Sequence, residues 1–153
     1  MSNAYMELQQ RQQQDVNSFP IGAAFGREQF RQMMERWGFT EEDTGKIVSL
    51  GAGCYICKSD KQAYIDMCER HHEELAEAIA EDKTGEGFIY DMFLYELENH
   101  EYGYTGDASD ALDALHMTLE DINADQRLVK GLYKAIQKID GCDPFDGGEE
   151  ESA

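Results

Sequence analysis

Basic residues are scarce in this 153-residue chain: 13 Lys/Arg stand against 32 Asp/Glu, for a net charge of −19. That balance argues against binding the nucleic-acid backbone, because phosphate contacts need clustered Lys and Arg. It disfavours anionic membranes likewise. Long apolar runs are absent too. No 18-residue apolar stretch offers a membrane span, and no basic-then-apolar N-terminus offers an export signal. The cytoplasm is therefore the expected compartment, and the four cysteines read as thiols or metal ligands in preference to disulfides. No Ser/His/Asp triad or nucleophile elbow appears. The Gly-x-Gly at Gly51-Ala52-Gly53 precedes a β-prone run instead of a helix, which argues against a phosphate-binding loop.

What the chain does have is acid, concentrated in one block. Residues 63–123 hold 17 Asp/Glu against Arg70 and Lys83, or −15, whereas the first 40 residues sum to zero. Such a block must face water, metal or a basic partner. At this length, with 41% hydrophobic residues, one domain with a real core is expected.

The pattern predicts a mainly α (α+β) fold: a helical domain of about five helices with one small β-hairpin near residues 46–58. Residues 1–16 are Gln-rich without an apolar stripe and read as a flexible polar arm outside the core, either a frayed helix or a disordered segment. A single globular domain is expected over 17–139, followed by a loose acidic tail over 140–153. Arg27 to Trp37 reads as a helix with Phe30, Met33, Met34 and Trp37 on one face and Gly38 as its stop. Lys46–Leu50 and Cys54–Lys58 read as the hairpin. Ser59 and Gln62 form a capping-box signal for a long helix to about Asp82. On that helix Tyr64, Cys68, His71, Leu75, Ala78 and Ile79 share one face, and Asp66, Glu69, Glu73 and Glu77 the other.

A second long helix, about Gly87 to Glu101, carries apolar side chains almost all the way round and should be buried. Asp91 and Glu98 form its only wet strip, so Glu96, Asn99 and His100 call for an explanation. Shorter helices are expected from about Ser109 to His116 and Asp125 to Ile139, with Thr118 and Asp121 capping the turn between them.

Three constellations carry chemistry. Asp82-Lys83-Thr84-Gly85-Glu86-Gly87-Phe88-Ile89 resembles the opening of an EF-hand loop, with Asp82, Thr84 and Glu86 at positions one, three and five and the Phe88 carbonyl at seven. Position twelve, where a bidentate Glu belongs, is Phe93. A Gly-rich turn that keeps the shape without calcium is the favoured reading. Second, Glu69 and His72 on one long helix and Glu96 and His100 on the next each pair a carboxylate with an imidazole at helical spacing. If the helices run antiparallel, the four would suit a divalent metal such as zinc, manganese or iron. The bland alternative is a buried hydrogen bond between Glu96 and His100. Third, Cys54, Cys57, Cys68 and His71 have the spacing of a Cys₃His zinc site, but Cys68 lies too far up its helix to reach the same ion as Cys57. Partly buried free thiols fit better.

The runs Asn17-Ser18-Phe19-Pro20, Asp43-Thr44-Gly45-Lys46-Ile47, Tyr55-Ile56-Cys57-Lys58, Thr84-Gly85-Glu86-Gly87-Phe88-Ile89-Tyr90 and Tyr95-Glu96-Leu97-Glu98-Asn99-His100-Glu101-Tyr102-Gly103-Tyr104-Thr105 together resemble small acidic uncharacterised proteins of gut bacteria, over about residues 17–137. That resemblance implies carriage by phages, plasmids or other mobile elements and brings no activity or catalytic residue. With the charge, it points to an accessory protein that binds a protein partner with a basic surface, such as a DNA mimic in the groove of a defence enzyme, through acids such as Asp66, Glu73 and Glu77. The alternative is a metal-binding protein or metal-dependent enzyme built on Glu69, His72, Glu96 and His100. A membrane or direct nucleic-acid partner is not expected.

Overall fold

The computed structural model describes residues 2–141. Among them are eight α-helices and one three-stranded antiparallel sheet, so the fold is mainly α. Where length alone suggests one domain, the chain divides into two compact units: a helical unit from the described residues of 1–10 and 75–153, and a sheet unit from 11–74. The expected polar arm takes its helical form, α1 (Ala4–Ser18), but it is not outside the core, since its Tyr5 and Leu8 are buried. The run of glutamines hides this, because two apolar residues three apart make a stripe too short to register as a helix face.

In the sheet unit, β1 (Ile21–Ala23), β2 (Ile47–Gly51) and β3 (Cys54–Cys57) lie in the order β1-β3-β2. The hairpin forms as expected. The third strand, β1, was not legible, since three residues carry too little alternation to mark a strand. Helix α2 (Arg27–Arg36) lays Met33 and Met34 against Ala24, with Phe30, Trp37, Phe39, Ile47 and Tyr55 around them. Gly22 permits that approach: a Cβ there would sit 2.6 Å from Met33 Sδ and 2.9 Å from Trp37. Helix α3 (Lys61–Glu81) is entered through a 3-10 turn containing Ser59, Lys58–Asp60, so it starts one residue later than the capping signal suggests. Its buried residue is Met67, and Cys68, expected on the inner face, is exposed.

The helical unit is organised around α4 (Phe88–Asn99) and α8 (Gln126–Asp140). As its all-round apolarity requires, α4 buries Ile89, Met92, Phe93 and Leu97. The short helices α5 (Tyr102–Thr105), α6 (Ser109–Ala114) and α7 (Leu119–Asn123) close the core with Ala111, Leu112, Leu115 and Ile122. Thr118 and Asp121 form the expected reciprocal capping box of α7. Three short helices between α4 and α8, where one (Ser109–His116) was expected, together with α1 raise the count above five. Close approach of α4 and α8 depends on Gly131, whose added Cβ would lie 2.6 Å from Ile89 Cγ2 and 2.7 Å from the Gly85 carbonyl oxygen. Asp140, expected in the tail, ends α8 with Gly141 as its left-handed cap. Residues 142–153 of that expected tail lie outside the described residues.

Candidate functional site

One buried carboxylate stands out in the helical unit. Glu96 is 8% exposed on α4, and burying such a group demands hydrogen-bond partners. The Tyr5 hydroxyl donates to Glu96 Oε2, and His100 Nε2 lies 3.5 Å from Oε1. Tyr5, only 2% exposed, packs its ring against Phe88 and Tyr95 at centroid distances of 6.0 and 5.5 Å. Burial first, and then the donation to Glu96, push the Tyr5 phenol well above its usual 10.0. Asn3 and Ala4 fasten the same segment, as Asn3 Nδ2 donates to the Asp91 carbonyl and the Ala4 N–H to Asp91 Oδ2, both at 2.9 Å. Of the three polar residues that called for explanation, Glu96 on α4 and His100 at its C-cap are thus accounted for. Asn99 is exposed.

The calcium-like loop is held by its first residue. Asp82 Oδ1 accepts from the Thr84 and Gly85 N–H groups, and Oδ2 accepts from those of Gly87 and Ile89. Burial raises this carboxyl, but the backbone donations, Ile89 foremost, more than offset it and hold it below the usual carboxylate range. Thr84 Oγ1 also donates to Asp82. Glu86 turns to α8, where it pairs with Lys130 at 3.3 Å and with Lys134. Arg127 ties off α3 by donating to the carbonyls of Ile79 and Asp82 at 2.9 and 2.7 Å while pairing with Asp125. Gly85, at φ +87, brings the loop so near α8 that a Cβ would lie 2.2 Å from the Arg127 carbonyl oxygen. Phe88, whose carbonyl was the seventh ligand position, opens α4.

Glu69 and His72 lie exposed on the sheet-unit part of α3, whereas Glu96 and His100 belong to the helical unit. Among the described residues no group of three or more His, Cys, Asp or Glu is arranged to hold a metal ion. His71 is occupied within the sheet unit, its Nε2 2.8 Å from Asp15 Oδ2. That hydrogen bond, chiefly, draws Asp15 below its usual value, with Arg70 contributing. Cys54, Cys57 and Cys68 are free thiols, and burial pushes Cys57 up.

Of the interaction residues, Asp66 and Glu73 are exposed in the sheet-unit part of α3 and Glu77 in its helical-unit part. The described helical unit carries 16 Asp/Glu against five Lys/Arg, the sheet unit 11 against eight. From Thr84 to Gln126 there is no Lys or Arg at all. Tyr104, 93% exposed, and Leu119, 64% exposed, lie in this stretch.

The family profile described as a family of unknown function, DUF7659, matches residues 4–138. The chain belongs to DUF7659. No curated protein and no solved structure matches it. The DUF7659 match begins at residue 4, and so takes in the α1 segment that carries Tyr5. Sequence reasoning missed Tyr5 and Arg127. The apolar pair Tyr5 and Leu8, three apart, was the available signal for the first. Nothing local marks Arg127, whose partners Ile79 and Asp82 lie 48 and 45 residues away.

Proposed function

We propose that this DUF7659 member acts by protein interaction, as an accessory factor of a mobile genetic element whose acidic surface occupies the DNA-binding groove of a host defence enzyme. The reading rests on one observation: 43 consecutive residues, 84–126, without a single Lys or Arg. They include exposed acids Glu98, Glu101, Asp110 and Asp113. B-DNA presents about one charge per 1.7 Å of axis, and a surface of one sign is attracted to a groove built to receive it. Exposed Tyr104 and Leu119 add apolar contact of the kind that protein interfaces use at their centres. Titrated into restriction endonucleases cutting plasmid DNA, the chain is expected to slow cleavage, less so as salt rises. The variant combining Glu98→Gln, Glu101→Gln, Asp110→Asn and Asp113→Asn is expected to lose the effect. Equal inhibition by that variant sets the reading aside.

A second reading, divalent-metal binding, has the 3.5 Å approach of Glu96 and His100 in its favour. It predicts a rise in melting temperature with zinc or manganese that His100→Ala removes.

A further inference from the structure

The sheet has two edges, and the chain treats them differently. Strand β1 is three residues long, follows Pro20 and engages its Ile21 N–H with the Phe19 carbonyl at 2.8 Å. Short strands and prolines are common ways of closing an edge. Strand β2 has neither. It is five residues long, Ile47–Gly51, and has β3 on one side only. Every second residue of such a strand aims its N–H and C=O away from its neighbour. Among the described residues, the one further hydrogen bond to a β2 backbone group is that of the Gly51 N–H to Ser49 Oγ. The outward groups over Ile47–Ser49 are thus unpaired among the described residues.

Charge sets this edge apart as well. Edges that must stay single are commonly guarded by a charged side chain, Lys above all. Yet from Ile47 to Cys57, eleven consecutive residues hold no Asp, Glu, Lys, Arg or His, in a chain with 29% charged residues. Ser49, in the middle of β2, is exposed and uncharged. The surrounding unit is also close to neutral, with 11 Asp/Glu against eight Lys/Arg, so self-association meets the least repulsion here.

We infer that two copies of this chain associate through β2, edge to edge and antiparallel, joining their three-stranded sheets into one. A twofold axis makes such a contact self-complementary and satisfies both open edges at once. The bulge between Ser49 and Gly51 limits regular pairing to Ile47–Ser49, which places the axis at Val48. Ile47 then faces Ser49, and Lys46, the nearest charge, meets Leu50 across the axis instead of its own counterpart. No like charges are set opposite each other. Contact through so short a strand belongs to the weak class, under about 1,200 Å², and the dimer accordingly depends on concentration. Because β2 carries no acid, dimerisation stands or falls apart from the proposed partner.

The full chain is run by sedimentation velocity from micromolar to millimolar concentration. The wild-type mass is expected to rise from one chain toward two. Ser49→Lys and Ser49→Glu each bring like charges together across the axis and should weaken association at least about tenfold. Mixed in equal amounts, the two variants should regain it, since Lys then lies diagonal to Glu. Both change an exposed side chain, and an unaltered melt shows that the fold is intact. A single chain at every concentration overturns the inference and leaves the edge to an extended peptide of another protein. So do a dimer that both variants keep and a mixture that stays single. Should the variants not fold, amide exchange of wild type decides. Slowing over residues 47–49 as concentration rises supports the contact, and equal exchange at every concentration overturns it.

Discussion

The hydroxyl of Tyr5, in the first helical turn of the chain, donates to Glu96, a carboxylate only 8% exposed in the last turn of the most apolar helix. Tyr5→Phe keeps the ring and removes the donor. It should destabilise the protein by about 2 kcal/mol, within the range for a hydrogen bond to a charged group. For a chain of this size that lowers the melting temperature by roughly 4–8 °C. Calorimetry checks it, and a change under about 1 °C would show that the bond contributes little.

The same bond sets an alkaline limit. The folded phenol of Tyr5 lies well above the unfolded value of 10.0 because burial and then Glu96 disfavour its ionised form. A raised folded pKa gives stability that is complete below the unfolded value and declines as pH rises beyond it. Tyr64 and Tyr90, also raised chiefly by burial, act in the same sense. The urea midpoint should therefore hold steady up to about pH 9.5 and fall above it. Tyr5→Phe should fall less steeply.

Asp82 works in the opposite direction. Its folded pKa is depressed below the ordinary 3.8, so its contribution is present above that value and is lost as pH falls through the folded one. Asp82→Ala frees four backbone N–H groups in the loop and first turn that lead into α4 and should cost about 2 kcal/mol, the upper range for loss of a helix cap. Because those N–H groups already occupy both carboxylate oxygens, millimolar calcium should leave the wild-type melting temperature unmoved. A calcium-specific rise that Asp82→Ala abolishes would restore the ion-binding reading.

Gly131→Ala tests packing against propensity. In a helix interior alanine is favoured over glycine by about 1 kcal/mol. Here the added carbon would lie 2.6 Å from Ile89 Cγ2 and 2.7 Å from a backbone oxygen, and overpacking of this kind costs roughly 1–3 kcal/mol. Net destabilisation is expected in chemical denaturation; stabilisation would mean that α8 shifts without penalty.

Surface acids should show the reverse pattern. Asp66→Asn, Glu73→Gln and Glu77→Gln together change exposed side chains of α3 and should alter stability by less than about 0.5 kcal/mol each. If α3 contributes to the partner surface, endonuclease inhibition should weaken markedly in this triple variant. An unchanged inhibition curve would confine the interaction to other acids.

Periodicity located α3, α4 and α8 because each presents an apolar pattern over three turns or more, and it located the Thr118 and Asp121 cap because both partners lie three residues apart. What escaped depends on distance along the chain. The burial of Tyr5 is decided by Glu96, and the order of the Asp82 loop is completed by Arg127 from α8. The two-unit division escaped for the same reason, since nothing in residues 1–10 announces that they pack with residues 75 onward. Of the candidate pair Glu96 and His100, the i, i+4 spacing was legible, whereas the tyrosine that shares the carboxylate was not.

The absence of basic residues between Thr84 and Gln126 also shapes how the protein can be taken apart. Trypsin, which cuts after Lys and Arg, finds nothing between Lys83 and Arg127, so the stretch from 84 to 127 leaves as one piece of 44 residues. Lys83 is open to the protease, but the Arg127 guanidinium is engaged by two carbonyls and Asp125. Release of that fragment from native protein accordingly times the opening of the helical unit, a clock that needs no label.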